Sequence, residues 1–331
     1  MLGQIGLPGG GFGLGYSSVN TVGNHIQRLP VAAVPQGKND VETFIPVARI
    51  ADMLLHPGDE FDYDGGRYHY PDIKMIYWAG GNPFHHHQDL TRLLAGWRKP
   101  DTIIAHEWCW NALAKHADII LPCTTSLERT DIAMSPMDNY FVSMQAAIAP
   151  VGDARDDFEI FRGIAAKMGA ENTYTEGRSA EDWQRWLYDV TKQASAEQGH
   201  ELPSYDAFRK DGWFKLPPPE TAHVMFADFR ADPMVNPLAT PSGKIEIFSQ
   251  AIAGFDYDDC APHPCWFEPP EWLGSPDRGS QLHLLGNQPT ARLHSQLDHG
   301  SISRDAKIAG HEPVKINRQD AAERAIINGV I

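Results

Sequence analysis

Apolar and polar positions follow two rhythms along the first half of this chain. IKMIYWA (73–79) is a short apolar run rich in β-branched and aromatic residues. It ends in Gly80-Gly81, the pattern of a strand running into a turn. In HQDLTRLLAGWR (87–98), Leu90, Leu93, Leu94 and Trp97 recur at helical spacing. TIIA (102–105) is a second apolar run, NALAKHA (111–117) a helical stretch, and DIILP (118–122) a third run closed by proline. VSMQAAI (142–148) reads as a fourth strand, and Asp156 or Asp157 caps a helix that runs through Lys167 and stops at Gly169. Strands alternating with helices at this spacing predict an α/β fold with a doubly wound, largely parallel sheet.

Beyond residue 170 the pattern is mixed. SAEDWQRWLYDVTKQASA (179–196) is an amphipathic helix with Ser179 as its cap, and LPPPE (216–220) is a break. TPSGKIEIFS (240–249) reads as a turn followed by a strand. Residues 254–279 are rich in Pro, Asp and aromatics and read as a linker, after which QLHLLG (281–286) restarts as a strand. The expected division is an α/β region at 1–250, a linker at 251–279 and the start of a further domain at 280–331.

Composition narrows the function classes. A length of 331 residues suits roughly two domains. With 42% hydrophobic and 21% charged residues, the chain is neither disordered nor a small disulfide scaffold. No apolar run reaches the ~18 residues of a membrane span. A net charge of −15 argues against a nucleic-acid backbone or an anionic membrane as partner, while leaving room for a local basic pocket. Cys109, Cys123, Cys260 and Cys265 form no CxxC pair and no zinc or iron–sulfur spacing. They read as free thiols, with a Cys260–Cys265 bridge left open. Met1 leads straight into a glycine-rich loop and the chain stops at INGVI, so both ends read as cuts in a longer polypeptide.

Six strings carry candidate chemistry. GGNPFHHHQD (80–89) follows a strand and opens a helix, where ligands of open α/β sheets bind. Its glycines would let backbone N–H groups reach a pyrophosphate, and the helix N-terminus would add positive charge. An ordinary strand–helix turn accounts for the glycines alone. Three consecutive histidines, 85–87, point in different directions and suit phosphate or heterocycle contacts better than one shared metal ion. His106-Glu107 ends the next strand; its carboxylate suits ribose hydroxyls or, equally, the start of a helix. In LPCTTSLERTD (121–131), Arg129 suits a phosphate or a base, with Glu128 and Asp131 to hold it, unless the three form a surface salt-bridge cluster. Asp157 is a helix cap or an acceptor for guanine N–H groups. GNQPTARLHSQLDHG (286–300) gathers Asn287, Gln288, Arg292, His294, Ser295 and Gln296 in one loop, which suits a polar heterocycle. PGGGFGLGYSS (8–18) is flexible or packs close to a flat cofactor. There is no GxSxG elbow, Walker loop, HExxH or GxGxxG.

The order IGLPGGGFG, WAGGNPFHHHQD, HADIILPCTTSLERTD, TPSGKIE, NQPTARLHSQLDHG resembles the molybdopterin oxidoreductases, and within them the dimethyl sulfoxide reductase family. The likeness is closest to the biotin sulfoxide and trimethylamine N-oxide reductases. It is strongest at 71–168 and 281–315 and weaker at 171–235. It implies a bis(molybdopterin guanine dinucleotide) molybdenum cofactor and two-electron reduction of a small S-oxide or N-oxide, fed by an unidentified electron donor. Matched residue by residue, dinucleotide contacts fall on Asn82, His86, His106, Glu107, Arg129 and Asp157. Glu107 takes ribose and Asp157 takes guanine. The loop from Asn287 to Gln296 (Asn287, Gln288, Arg292, His294, Ser295, Gln296) reaches the pterins, and Gly11, Gly13 and Ser17 match less closely. No position matches the family's serine metal ligand, which is carried in an N-terminal part, and no catalytic residue is expected here. By the same resemblance, 280–331 is the start of a β-barrel-like C-terminal domain, and the 331 residues alone are inactive. A nitrate reductase or formate dehydrogenase relative and a non-catalytic α/β binding module are the alternatives. The compartment stays open, cytoplasmic or periplasmic after twin-arginine export.

Overall fold

The computed structural model describes residues 3–11, 29–135, 138–221, 223–269, 271–279, 281–286, 288–293 and 296–329. In chain order the first elements are α1 (Ile50–Leu55), β1 (Glu60–Tyr63), β2 (Gly66–His69), β3 (Met75–Ala79), α2 (Pro83–His86), α3 (Leu90–Trp97), β4 (Thr102–Glu107) and β5 (Ile119–Pro122). There follow β6 (Asp131–Met134), β7 (Tyr140–Met144), α4 (Asp157–Lys167), α5 (Glu171–Thr175), α6 (Ala180–Glu197), α7 (Tyr205–Asp211) and β8 (Trp213–Lys215). Four short helices complete the order: α8 (Ala227–Ala231), α9 (Gln250–Ala253), α10 (Ser301–Asp305) and α11 (Arg318–Glu323). The chain divides into two units, each discontinuous in sequence. The first comprises Met1–Phe44, Asp62–Gly66 and Leu121–Pro264; the second comprises Ile45–Phe61, Arg67–Ile120 and Cys265–Ile331.

The second unit holds the parallel sheet. β3 and β4 run parallel from Met75↔Thr102 to Ala79↔His106, and β5 lies on the other side of β4. Parallel neighbours need a crossover, and residues 83–97 supply it as α2 and α3. Asp89 caps α3 by accepting from the Arg92 N–H at 3.1 Å. The helix then buries Leu93 and Trp97 with Leu54, Phe84, Ile103, Ala105 and Leu113. Each large side chain so placed contributes ~1.5–3 kcal/mol by leaving water. Trp97 Nε1 donates to the His116 carbonyl at 3.1 Å, and its ring meets Trp78 and Phe84 at centroid distances of 5.7 and 5.5 Å. Asp118 pins the start of β4 by accepting from the Ile103 N–H at 2.8 Å.

The first unit is built on an antiparallel sheet, β6-β7-β8, with Ile132↔Ser143 and Phe141↔Phe214 in register. α6 starts with a reciprocal capping box between Ser179 and Asp182. Its Tyr188 stacks on Phe208 at 4.9 Å, within a core of Phe141, Leu202, Tyr205 and Leu216.

The mixed α/β architecture with a parallel sheet agrees with the sequence reading, and several local elements differ. The fourth expected strand lies further towards the N-terminus, as β7, and pairs antiparallel with β6 and β8, each of which takes up its N–H and C=O groups on one side. NALAKHA is only a 3-10 turn at Ala114–His116, since Asn111 Oδ1 accepts from the Ala114 N–H at 3.0 Å and Asp118 already belongs to the sheet edge. TPSGKIEIFS and QLHLLG form no strand. A strand persists only where a neighbour takes up its N–H and C=O groups, and Ile245, Ile247, Leu284 and Leu285 stand exposed instead. Among the described residues after 280 there are α10, α11 and one isolated bridge, Ile308↔His311, and no closed barrel. The four cysteines are free thiols. Among the described residues no helix is long and apolar enough to cross a membrane.

Candidate functional site

The carboxyl ends of β3 and β4 lie side by side and carry the most organised group of candidate residues. Gly80 and Gly81 follow β3 with φ of +84° and +69°, a backbone conformation that disfavours any side chain. A Cβ at either position would stand in open space, so this turn presents bare backbone. Asn82 comes next and is 5% exposed. Its Oδ1 accepts from the Phe84 N–H at 3.0 Å, and its Nδ2 donates to Glu107 Oε1 at 3.4 Å. Phe84 anchors the turn, edge-on to Trp97 and stacked on His116 at 4.8 Å.

Glu107 ends β4 and is 7% exposed. Burial pushes its carboxyl above the ordinary glutamate range, against the lowering effect of hydrogen bonds from the Asn111 side chain, the Trp108 backbone and Asn82. The same burial, with the nearby Glu107 charge, pushes the Cys109 thiol up. His106 is 3% exposed, and its Nε2 lies 2.7 Å from the Tyr77 hydroxyl, a hydrogen bond across the two strands. α2, which carries His86, is a single turn, and α3 begins only at Leu90. The positive helix end expected at this loop is therefore absent, because one turn aligns too few peptide dipoles. Burial, then the neighbouring His86, pulls His87 below the ordinary histidine range.

Gln288 and Arg292 form a second group in the same unit. Gln288 Nε2 donates to the Arg292 carbonyl at 2.7 Å. The Arg292 side chain is 9% exposed and lies among Ser303, Asp298 and Glu312. Gln296 is exposed, with its N–H bonded to the Leu293 carbonyl. Trp108, next after Glu107, stands 6.3 Å from the His299 ring of this loop. Asn287, His294 and Ser295 lie outside the described residues, as do Gly13 and Ser17.

Gly11, Arg129 and Asp157 belong to the first unit. Gly11 has φ +84°, and a Cβ there would come 3.3 Å from Ile5 Cα. Arg129 Nε lies 3.5 Å from Asp131, as the sequence suggested, but Glu128 faces backbone instead. Glu128 accepts from the Thr125 N–H at 2.7 Å, the Thr125 hydroxyl at 2.8 Å and the Val151 N–H at 2.7 Å. These bonds, the Thr125 N–H first, hold its carboxyl below the ordinary range. The resulting stability is full above the unfolded glutamate pKa and fades as pH falls towards the lower folded value. Glu128→Gln should therefore lose most against the parent at neutral pH. Urea midpoints of the two should converge between about pH 6 and about pH 3; a constant gap would show that the charge is irrelevant. Asp157 is the first residue of α4, following Asp156, whose carboxylate accepts from the Thr124 hydroxyl at 2.6 Å.

An open groove of about 650 Å³ between α4, α5 and the start of α6 contains none of the candidate residues. Among the described residues, no three His, Cys, Asp or Glu side chains are grouped to hold a metal ion. Sequence reading missed Tyr77, Asn111, Asp298, Lys307 and Glu312. Period two along β3 places Tyr77 on the His106 face, and Asn111 has the residue type of a turn cap. The last three carried no signal beyond their charge.

The arrangement offers bare turn backbone, a buried amide and a buried carboxylate at adjacent strand ends. Such a set can accept hydroxyl or amide hydrogens from a polar heterocycle or sugar. Comparison with known proteins gives the chemistry a context. The family model for molybdopterin oxidoreductases matches residues 1–167. The chain is 44% identical over 330 residues to a biotin sulfoxide reductase of Cereibacter sphaeroides, covering 99% of this chain and 44% of that protein. It is 43% identical to a dimethyl sulfoxide/trimethylamine N-oxide reductase of the same organism, covering 99% of this chain and 42% of the relative. A trimethylamine-N-oxide reductase of Haemophilus influenzae is 42% identical, covering 100% of this chain and 42% of the relative. The chain thus spans less than half the length of these relatives. Among solved structures, acetylene hydratase from Pelobacter acetylenicus superposes with a TM-score of 0.50 at 21% identity, over 72% of this chain and 30% of that one, a likeness of fold.

Proposed function

The chain belongs to the molybdopterin oxidoreductase family, and from that premise we propose that it forms the nucleotide-holding part of an S-oxide or N-oxide reductase. Its cofactor would be bis(molybdopterin guanine dinucleotide) molybdenum. The observation that carries this reading is the Asn82–Glu107 pair, buried at the ends of two adjacent parallel strands beside a turn of bare backbone. Near-complete coverage of the chain by relatives named for biotin sulfoxide, dimethyl sulfoxide and trimethylamine N-oxide supports the substrate class.

The residues present suit such a group. The carboxylate of Glu107 can accept two ribose hydroxyls, with Asn82 and Asn111 fixing its orientation. His106, held by Tyr77, and His86 supply ring nitrogens near the same turn. Asp157 would accept guanine N–H groups, and Arg129, tied to Asp131, would meet a phosphate. The loop of Asn287, Gln288, His294, Ser295 and Gln296 would reach the pterins, and Gly11, Gly13 and Ser17 would add further cofactor contacts. When bound, the metal–pterin group supplies the two-electron redox step, and these side chains hold and orient it.

The test is made on the protein expressed from its native reading frame. It should contain molybdenum and release guanine nucleotide on acid hydrolysis. With a reduced viologen, it should reduce biotin sulfoxide, dimethyl sulfoxide or trimethylamine N-oxide. Asp157→Ala should lower the guanine content about tenfold or more, the loss expected for hydrogen bonds to a charged acceptor. Molybdenum and guanine unchanged in that variant would remove Asp157 from the site, and a protein inert towards all three oxides would overturn the activity.

A further inference from the structure

Arg292 looks by type like a ligand for an anionic cofactor, yet its surroundings are those of a structural post. Its Nη1 donates to the Ser303 hydroxyl at 3.2 Å, its Nη2 lies 2.8 Å from Glu312, and its Nε lies 3.4 Å from Asp298. Ser303 is 1% exposed. Lys307 closes the ring of charges, with Nζ 2.8 Å from Asp298 and 3.7 Å from Glu312. Both terminal nitrogens of the guanidinium are thus engaged within 21 residues, and its Nε, buried without a hydrogen bond, has Asp298 as its nearest charged neighbour, leaving little of the group for a ligand. The clamp has an outlet. His299 follows the clamped Asp298 directly, and its ring stands by Trp108, the residue after Glu107. The Arg292 carbonyl also receives Gln288 Nε2.

We propose that Arg292 is a positioning residue: with Asp298, Ser303, Lys307 and Glu312 it fixes residues 296–300 so that His299 stands against Trp108 beside Glu107. The proposal rests on the cofactor reading for its consequence, since the locked loop is what presents Gln288 and Gln296 to the bound group. Glu312 distinguishes the two roles of Arg292. Glu312 lies 2.8 Å from Arg292 and 3.7 Å from Lys307 and is not among the residues proposed to touch the cofactor, so its loss acts through the two cations of the clamp.

Arg292→Ala and Glu312→Gln are compared with the parent in the protein from its native reading frame, with and without cofactor. In the cofactor-free state, the amides of Gln296 and Gly300, bonded to the Leu293 and Leu297 carbonyls, should exchange faster in both variants. The emission of Trp108, taken as the difference from Trp108→Phe, should shift alike in both. In loaded protein, guanine content should fall at least about threefold in each, and the double variant should fall no further, as for coupled partners. If Arg292→Ala lost guanine while Glu312→Gln kept it, the arginine would be a direct ligand and the proposal overturned. Faster exchange with unchanged guanine content would also overturn it, leaving a clamp without a positioning role. A parent protein that carried no guanine would instead sink the cofactor reading, while unchanged exchange in Glu312→Gln would sink the clamp itself.

Discussion

Glu107→Gln is expected to make the cofactor-free protein more stable near neutral pH and the loaded protein poorer at keeping its nucleotide. Burial raises the folded pKa of this carboxyl, so the native state binds its proton more readily than the unfolded chain does. The sign follows: stability declines as pH rises from the unfolded pKa through the folded one, and above it the buried charge is a standing cost. Glutamine, like the protonated carboxyl, keeps the shape and one acceptor oxygen without the charge. Thermal midpoints of the cofactor-free variant should therefore match the parent in acid and exceed it at neutral pH. Under the proposed ribose contact, a charged acceptor contributing ~1.5–3 kcal/mol is lost, so guanine nucleotide should leave the variant about tenfold more readily or worse. Such opposition between stability and binding marks functional sites. A variant less stable than the parent at every pH would show that the carboxylate is there for the fold.

Trp97→Ala should have the largest effect on the second unit. Trp97 is 1% exposed, supports both Trp78 and Phe84, and satisfies the His116 carbonyl. Truncating such a side chain costs about 3–5 kcal/mol, a large part of the ~5–15 kcal/mol that holds a domain folded. Phe84 would lose one of its two aromatic supports, and the Gly80-Gly81-Asn82 turn would loosen with it. Urea unfolding should show a markedly lower midpoint and guanine content should fall. Trp213→Ala, at a side chain 56% exposed, should shift the midpoint little. Equal effects at both positions would refute this account of the core.

What could be read from the sequence was local and periodic. The runs at 73–79, 102–105 and 118–122, the helix from Asp157 and the capped helix from Ser179 are all present, because each pattern also meets its tertiary partner. QLHLLG shows the limit. Its composition is that of a strand, but pairing is a property of the neighbour, and among the described residues it pairs with no strand. The site divided in the same way. The place of Asn82 and Glu107, at the ends of adjacent strands, was legible because strand ends in an α/β sheet are predictable, whereas their burial and mutual bond were not. The ring around Arg292 was not, since Asp298, Lys307 and Glu312 have ordinary surface types and only the folded loop shows whom they face. Arg292 reads as one of the polar groups of the 286–300 loop, and its proposed positioning role rests on the ring that the folded chain places around it.

The discontinuity of the second unit also sets a sequence of events in time. Ile45–Phe61 and Arg67–Ile120 leave the ribosome long before Cys265–Ile331, and Trp108 waits for a partner 191 positions later. The sheet and its helices are mostly local and can form early, whereas the junction of Trp108 with His299 must close a long loop against chain entropy. During synthesis Trp108 therefore stays without its ring partner until His299 emerges. Nascent chains arrested after residue 264 should hold a formed β3–β4 pair in which Trp108 lacks its His299 partner, and a red-shifted Trp108 emission relative to the longer chain would show it.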